Sequence, residues 1–387
     1  MNRRYRFGNA GYRLAGGLLS IWDRTQIYLY GPGGGTRLTA QNGLPSVPKS
    51  MPEMMLVTTG GSLPAAGLAL TRARVEPDHP IVSVIVSTRN HAGSVGRTVD
   101  AVMRQDVDVE LEMIVVDNAS TDDTAAVMAE AVERAHRPLT YVRLASDRGP
   151  AGGRNVGLDL AKGEFIAFTD SDCIPNAGWL RAALVAFSSP EIGVVQGQTK
   201  GEGVSQPFFS HYIETLRMDG SFSTSNVIYR RKAIGSIRFD PACVYWEDVD
   251  LGWRVLAQGW SAHFAGDALI EHVAIPLTPV QWMLWQRRLA NYPAKAGRYP
   301  GFRRFLFLRV WVDPLHFWFD VALVGMVIAP WKPISLLLAI PYAVIFAMKR
   351  GLRGKFPPAK LVAHITWDFV GFGSLVAGSI RYRSLVL

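Results

Sequence analysis

The chain has 387 residues, 49% of them apolar, enough for two or three packed units and too apolar for a disordered one. Its two cysteines, Cys173 and Cys243, exclude a disulfide framework and point to a reducing compartment. The net charge of +9 gathers at one end, where 15 Lys/Arg stand against 3 Asp/Glu from residue 281 onward. Basic and apolar together favour an anionic membrane surface over nucleic acid, and no nucleic-acid-binding motif occurs.

Residues 1–79 show no sustained period and read as a loosely packed extension. The cluster "GPGGG" at 31–35 lacks the strand–loop–helix setting and the following Lys-Ser/Thr of a phosphate loop. The run "LAGGLL" is too short an apolar core for a signal peptide.

From residue 80 the pattern sharpens. "PIVSVIVST" (80–88) is the continuous β-branched run of a strand buried on both faces. "SVGRTVDAVMR" (94–104) puts Val95, Val99, Val102 and Met103 on one helical face. A second strand follows at 111–120, then a helix at 120–135 with Ser120 as expected N-cap. A third strand spans 139–145, Pro150 opens a helix ending near Gly163, and "EFIAFTD" is a fourth strand. Strands and helices alternating at this spacing predict an α/β fold with a doubly wound, mostly parallel sheet.

Such sheets bind ligands at the carboxyl ends of their strands. Thr88-Arg89-Asn90, Asp117-Asn118 and Asp170-Ser171-Asp172 all fall there. The pair Asp170/Asp172 suits a turn, but its position favours a cation site. A second acidic cluster, Glu247, Asp248 and Asp250, occupies the first turn of a helix ending near Gly259. The helix dipole accounts for one or two of these acids. Tyr245 and Trp246, just before them, suit the binding of a sugar ring or another amphipathic ligand. His272 closes another short apolar strand, where it is either structural or a metal ligand beside Asp172.

Taken together, "VSVIVSTRN", "IVVDNASTDDT", "GPAGGRNVGLDLAKGEFIAFTDSD", "STSNVIYRRKAI", "YWEDVDLGWRVLAQG" and "ALIEH" resemble the family 2 glycosyltransferases. That resemblance covers about 82–290 and implies the GT-A nucleotide-sugar-binding fold. It implies that Asp117 contacts the nucleobase and that Thr88, Asn90 and Arg154 line the nucleotide pocket. Asp170 would stand on the ribose side. Asp172 would hold Mn²⁺ or Mg²⁺, with His272 reaching the same ion. Asp248 would be the general base of an inverting transfer, with Trp246, Glu247 and Asn226 around the acceptor.

Two departures bear on function. The first strand continues Arg89-Asn90-His91 where the family often runs aromatic-Asn-Glu. The region "QWMLWQRRLAN" (281–291) lacks the Gln-x-x-Arg-Trp of processive synthases, so a single addition is expected. A nucleotidyltransferase would need a glycine-rich basic loop after the first strand, and 87–97 offers two isolated glycines. A non-catalytic scaffold is the other alternative, against which stands the joint presence of all four aspartates.

The expected organisation is thus an extension at 1–79, a catalytic domain at 80–290 and a basic, helical, membrane-associated region at 291–387. In the last, apolar stretches at about 315–330, 334–348 and 361–380 are interrupted by Asp320, Pro341, His364 and Asp368. The basic runs at 303–309 and 349–360 predict a hairpin dipping into the bilayer from the cytoplasmic face, with the third stretch lying on the surface. A lipid-linked or glycan acceptor would suit that location.

Overall fold

The run Val82–Thr88 lies in the middle of a nine-stranded sheet. Its pleat sends Val82, Val84 and Val86 into one apolar layer and Ile85 into the other. A strand with no solvent face must be apolar throughout, which is why it reads without alternation. The structure, a computed structural model, describes residues 81–203, 207–349 and 358–387, with short strands at Tyr12–Leu14, Gly17–Leu19, Gln26–Gly31, Gly34–Thr39 and Leu70–Ala73. Most of the extension, residues 32–33 of its glycine cluster and residues 350–357 of the basic run fall outside the described residues.

The strands lie in the order Cys173–Pro175, Ser261–His272, Ile192–Gly201, Val227–Arg230, Phe165–Phe168, Val82–Thr88, Leu111–Asp117, Leu139–Arg143 and Leu70–Ala73. Phe165–Phe168 through Leu139–Arg143 are mutually parallel, as the alternating pattern predicts. Val227–Arg230 then enters antiparallel to both its neighbours, and the sheet continues as a mixed one. Leu70–Ala73, inside the expected extension, pairs antiparallel with Leu139–Arg143 and forms that edge of the sheet.

The expected helices are present at Val95–Met103, Thr124–Arg134, Gly149–Leu160 and Glu247–Ala257. Ser120 does not cap the second of these, which starts four residues later. Its hydroxyl accepts instead from the Asn90 amide at 2.9 Å, joining two strand-end loops. The third helix lies close on the sheet because Gly153 faces Ser87 and Gly157 faces Ile85, leaving no room for a Cβ at either position.

Packing crosses the boundary expected at residue 290. Ala294, Phe302, Leu306, Leu375 and Val386 are buried in the same core layer as Ile85, Phe168 and Trp253. Helices Pro314–Ile328, Ala339–Lys349 and Pro358–Tyr382 form the apolar tail. Its acids are satisfied internally: Trp311 Nε1 donates to Asp320 at 2.9 Å and Tyr342 Oη to Asp368 at 2.7 Å. Among the described residues, only the stretch Lys360–Tyr382 is a helix long and apolar enough to cross a membrane. That helix is nevertheless docked on the rest of the chain, Gly378 meeting the Ala290 carbonyl and Gly371 the Leu289 side chain.

Candidate active site

Thr88 and Asp117 end adjacent parallel strands in direct register, so their side chains share one edge of the sheet. Asp117 is fully buried, accepting from Ser120 N and from Tyr141 Oη, each at 2.8 Å, with Arg143 Nε at 3.7 Å. Burial, and then the Asp117 charge, push the Tyr141 hydroxyl pKa up, so it stays a donor that fixes the carboxylate. Asn90 turns the chain at φ 56°, a conformation Asn tolerates, and its Oδ1 accepts from Thr121 N at 2.7 Å. Thr88 Oγ1 is buried with no protein partner, a polar atom left for a ligand. Beside it, Asp147 binds the side chains of Arg89 and Asn118, a link that pattern reading did not single out.

The next strand end carries the acid pair. Cys173 and His272 are directly opposed in an antiparallel pair, which brings Asp172 Oδ1 to 3.7 Å from His272 Nε2. His272 Nδ1 lies 2.8 Å from the Val273 carbonyl, which can only accept. In the neutral ring Nδ1 therefore holds the proton, and Nε2 turns a lone pair on the carboxylate. Two buried electron-pair donors facing each other at this distance fit a divalent cation between them. Cys173 Sγ lies within 4.8 Å of both ligand atoms. His91 Nδ1 approaches the other oxygen, Asp172 Oδ2, at 4.0 Å. His91 was noted in the sequence only as a departure from the family pattern. Burial raises the Asp172 pKa, His272 and His91 opposing and Asp170 adding to the rise.

A cation joins this site to the second acidic cluster. Arg154, from the helix Gly149–Leu160, donates to Asp170 Oδ1 at 3.0 Å and to Glu247 Oε1 at 2.7 Å. Burial opposes its charge, but Asp170, Glu247 and Asp248 together hold its pKa above the ordinary value. Burial, followed by the neighbouring Glu247 charge, pushes Asp248 up to about 7, against Lys295 and Arg154. Lys295 was missed because nothing in "NYPAKAG" marks it. Its pKa is lowered by burial, against the pull of Asp248, Asp219 and Glu247.

Two expected acceptor residues are placed elsewhere. Asn226 is 1% exposed, donating to the carbonyls of Gln198 and Ala268 and accepting from Trp179 Nε1, each at 2.8 Å. Trp246, at the start of the helix Glu247–Ala257, is buried in the core layer. Neither presents a surface to an acceptor. Tyr245 does, being 60% exposed in the strained left-handed region at φ 67°, with the Arg288 guanidinium 4.2 Å from its ring. Asp250 serves structure, bound by Arg254, Arg298 and Tyr299.

A parallel half-sheet with buried acids at its strand ends, facing an acid-opened helix, defines an α/β domain of the GT-A type. Residues 83–243 match the profile "Glycosyl transferase family 2", and residues 165–349 match "Glycosyl transferase family group 2". The chain is thus similar to the family 2 glycosyltransferases over two overlapping matches that together span 83–349. It is 27% identical to the pre-mycofactocin glycosyltransferase of Mycobacterium tuberculosis over 54% of its own length and 46% of that protein's. It thus spans about half of that relative. Over 62% of this chain and 90% of the other it is 25% identical to the putative teichuronic acid biosynthesis glycosyltransferase TuaG of Bacillus subtilis. A solved mannosyltransferase, PcManGT from Pyrobaculum calidifontis in complex with GDP-Man and Mn²⁺, aligns with TM-score 0.49 at 21% identity. That alignment covers 79% of this chain and 87% of the other.

Proposed function

We propose that the chain is an inverting glycosyltransferase that moves one sugar from a nucleoside-diphosphate sugar to an acceptor hydroxyl. The observation that carries this reading is Asp248, a carboxylate pushed up to about 7 beside Lys295 and linked through Glu247, Arg154 and Asp170 to the Asp172/His272 pair. A base poised near neutral pH takes a proton efficiently from an attacking hydroxyl. The acceptor oxygen forms its bond to the anomeric carbon as the bond from that carbon to the diphosphate breaks. The proton goes to Asp248, and the nucleoside diphosphate leaves with the electron pair.

Asp117, Thr88 and Asn90 hold the nucleoside end in this reading, the unpartnered Thr88 hydroxyl giving it a hydrogen bond. Asp170 stands on the ribose side with Arg154 beside it, and Asp172 and His272 hold Mn²⁺ or Mg²⁺. The ion, when bound, neutralises charge gathering on the leaving diphosphate. Glu247 keeps the Arg154 guanidinium aligned between donor and base.

The tail supports work at a membrane surface, the cytoplasmic face being where a cytosolic donor would meet it. Its helices leave Val327, Trp331, Ile334 and Met348 each more than two thirds exposed, a surface that suits lipid better than water. The test is release of nucleoside diphosphate from UDP-, GDP- and dTDP-sugars, with Mn²⁺, Mg²⁺ or chelator. Metal-dependent release from one donor, lost in Asp172→Ala and slowed in Asp248→Asn, is the expected result. A chain that binds none of the donors would be a scaffold, and release of pyrophosphate from a nucleoside triphosphate would make it a nucleotidyltransferase.

A further inference from the structure

A cavity of about 800 Å³ opens beside the metal pair, with Phe208, His211, Trp282, Trp285 and Trp367 in its walls. Its size matches an organic ligand rather than a few waters. On one side it reaches the metal pair: Gly201, in its lining, pairs in register with His272, and the His211 ring is centred 5.9 Å from the His272 ring. On the other its wall is Trp285, which packs on Arg288. The Arg288 guanidinium lies 3.2 Å from the centre of the Trp285 ring and 4.2 Å from that of Tyr245, which shortly precedes Asp248. A ligand seated there has His272 behind His211 on one side and, behind Trp285 and Arg288, the segment that leads into Asp248 on the other.

The walls change character along the cavity. His211 lies against the Trp285 ring, and Ser210 and Glu214 add hydrogen-bonding groups to the lining. The His211 ring is centred 3.8 Å from the Trp285 ring, so its nitrogens border an aromatic face. Polar groups around an aromatic face suit a sugar ring. At the outer end Trp282 and Trp367 lie with ring centres 3.6 Å apart, with Phe208 tilted on Trp282 at 5.7 Å. Trp367 belongs to the helix Pro358–Tyr382, whose other face exposes Val362 and Phe369. The outer wall is therefore continuous with the most membrane-like helix among the described residues. Lys200, exposed in the lining, supplies a cation for a phosphate joining sugar to carrier.

We propose that this cavity is the acceptor site and that it takes a sugar carried on a lipid phosphate, the sugar against His211 and Trp285 and the lipid stem along Trp282 and Trp367. The C-terminal helix is then a wall of the active site as well as a contact with the membrane. This inference rests on the transferase reading, and its test is arranged to fail separately from it.

The full chain in detergent is labelled with a diazirine-bearing farnesyl phosphate and the adducts are mapped by mass spectrometry. The expected result is adducts within 207–216, 279–285 and 360–367, competed by unlabelled farnesyl phosphate but not by inorganic phosphate. Labelling should fall at least fivefold in Trp367→Ala and in Leu216→Arg. The second variant places a charge at a half-exposed position of the lining that carries no core packing. Adducts confined to the outer faces of 314–349, no adducts at all, or labelling of both variants equal to that of the wild type would overturn the proposal and leave the cavity to a water-soluble acceptor. Donor hydrolysis is measured in the same preparation. A labelled cavity without donor hydrolysis sinks the transferase reading alone, whereas hydrolysis with an unlabelled cavity sinks the lipid site alone.

Discussion

Asp172 and His272 face one another across neighbouring strands with 3.7 Å between Oδ1 and Nε2, and the proton of the neutral ring is turned away toward Val273. That geometry lacks a hydrogen bond and gains one partner on each side when a cation enters. After chelation, Mn²⁺ titration followed by electron paramagnetic resonance should show one site per chain. Asp172→Ala should abolish it. His272→Ala should weaken it at least about tenfold, the effect reported even for loss of a ligand's outer partner. Unchanged Mn²⁺ binding in both variants would remove the pair from the metal site.

Asp248 gives two signs that can be read separately. Its folded-state pKa of about 7 lies above the ordinary carboxylate value, so the folded chain keeps a proton that the unfolded chain releases. Stability from this group is present below about pH 4 and lost as pH rises to about 7. Asp248→Asn should therefore melt above the wild type at pH 8 and close to it at pH 4. Turnover should fall by about 10²–10⁴-fold, with loss of the rising limb of the kcat/KM profile near pH 7. A variant with full turnover would displace Asp248 as base.

Much of this site was legible from strand ends. Asp117, Asp170 and Asp172 follow continuous apolar runs, and the chain has few ways to end such a strand except at the ligand edge. His91 and Lys295 were not legible, because they reach Asp172 and Asp248 from segments about 80 and 47 residues away in sequence. Asn226 and Trp246 show the converse failure. Their residue types suit a pocket, but side-chain direction is set by the register of Val227–Arg230 and by the start of the helix Glu247–Ala257, and both are buried. Strand direction was equally hidden, since Val227–Arg230, antiparallel to both its neighbours, is as β-branched and aromatic as the mutually parallel strands.

Arg154 holds together two halves of the site that are 77 residues apart, Asp170 and Glu247. Replacing it with Met leaves two largely buried carboxylates without their cation. The expected loss is about 3 kcal/mol in urea unfolding, the size typical of breaking a buried ion pair. The double change Arg154→Met with Glu247→Gln should recover part of it. A loss below about 1 kcal/mol would mean that water already screens the pair.

Gly153 lets its helix touch the strand Val82–Thr88. A Cβ there collides with Ser87 Oγ, while the Ser87 Cβ stands at 3.3 Å. Gly153→Ala should cost about 1–3 kcal/mol by overpacking, and Ser87→Ala in the same chain should return most of that. Additive effects of the two changes in a denaturation cycle would show that the contact is not the cause.

The final prediction concerns whether the tail is detachable. A simple anchor can be removed without disturbing the domain it tethers. Here Leu375 and Val386 are fully buried in the core layer that also holds Trp253 and Phe302. The last residues are also pinned: Val312 N donates to the Leu387 carbonyl at 2.8 Å, and Arg303 donates to the Leu385 carbonyl and Ser384 Oγ, each at 2.9 Å. Ending the chain at residue 357 strips these contacts and uncovers the apolar side of 286–306. The truncated protein should therefore aggregate or melt well below the full chain even in detergent, as read by size-exclusion chromatography and thermal scanning. A truncated chain that stays monomeric with an unchanged melting temperature would show that the helix is an appendage and that the catalytic sheet closes its core without it.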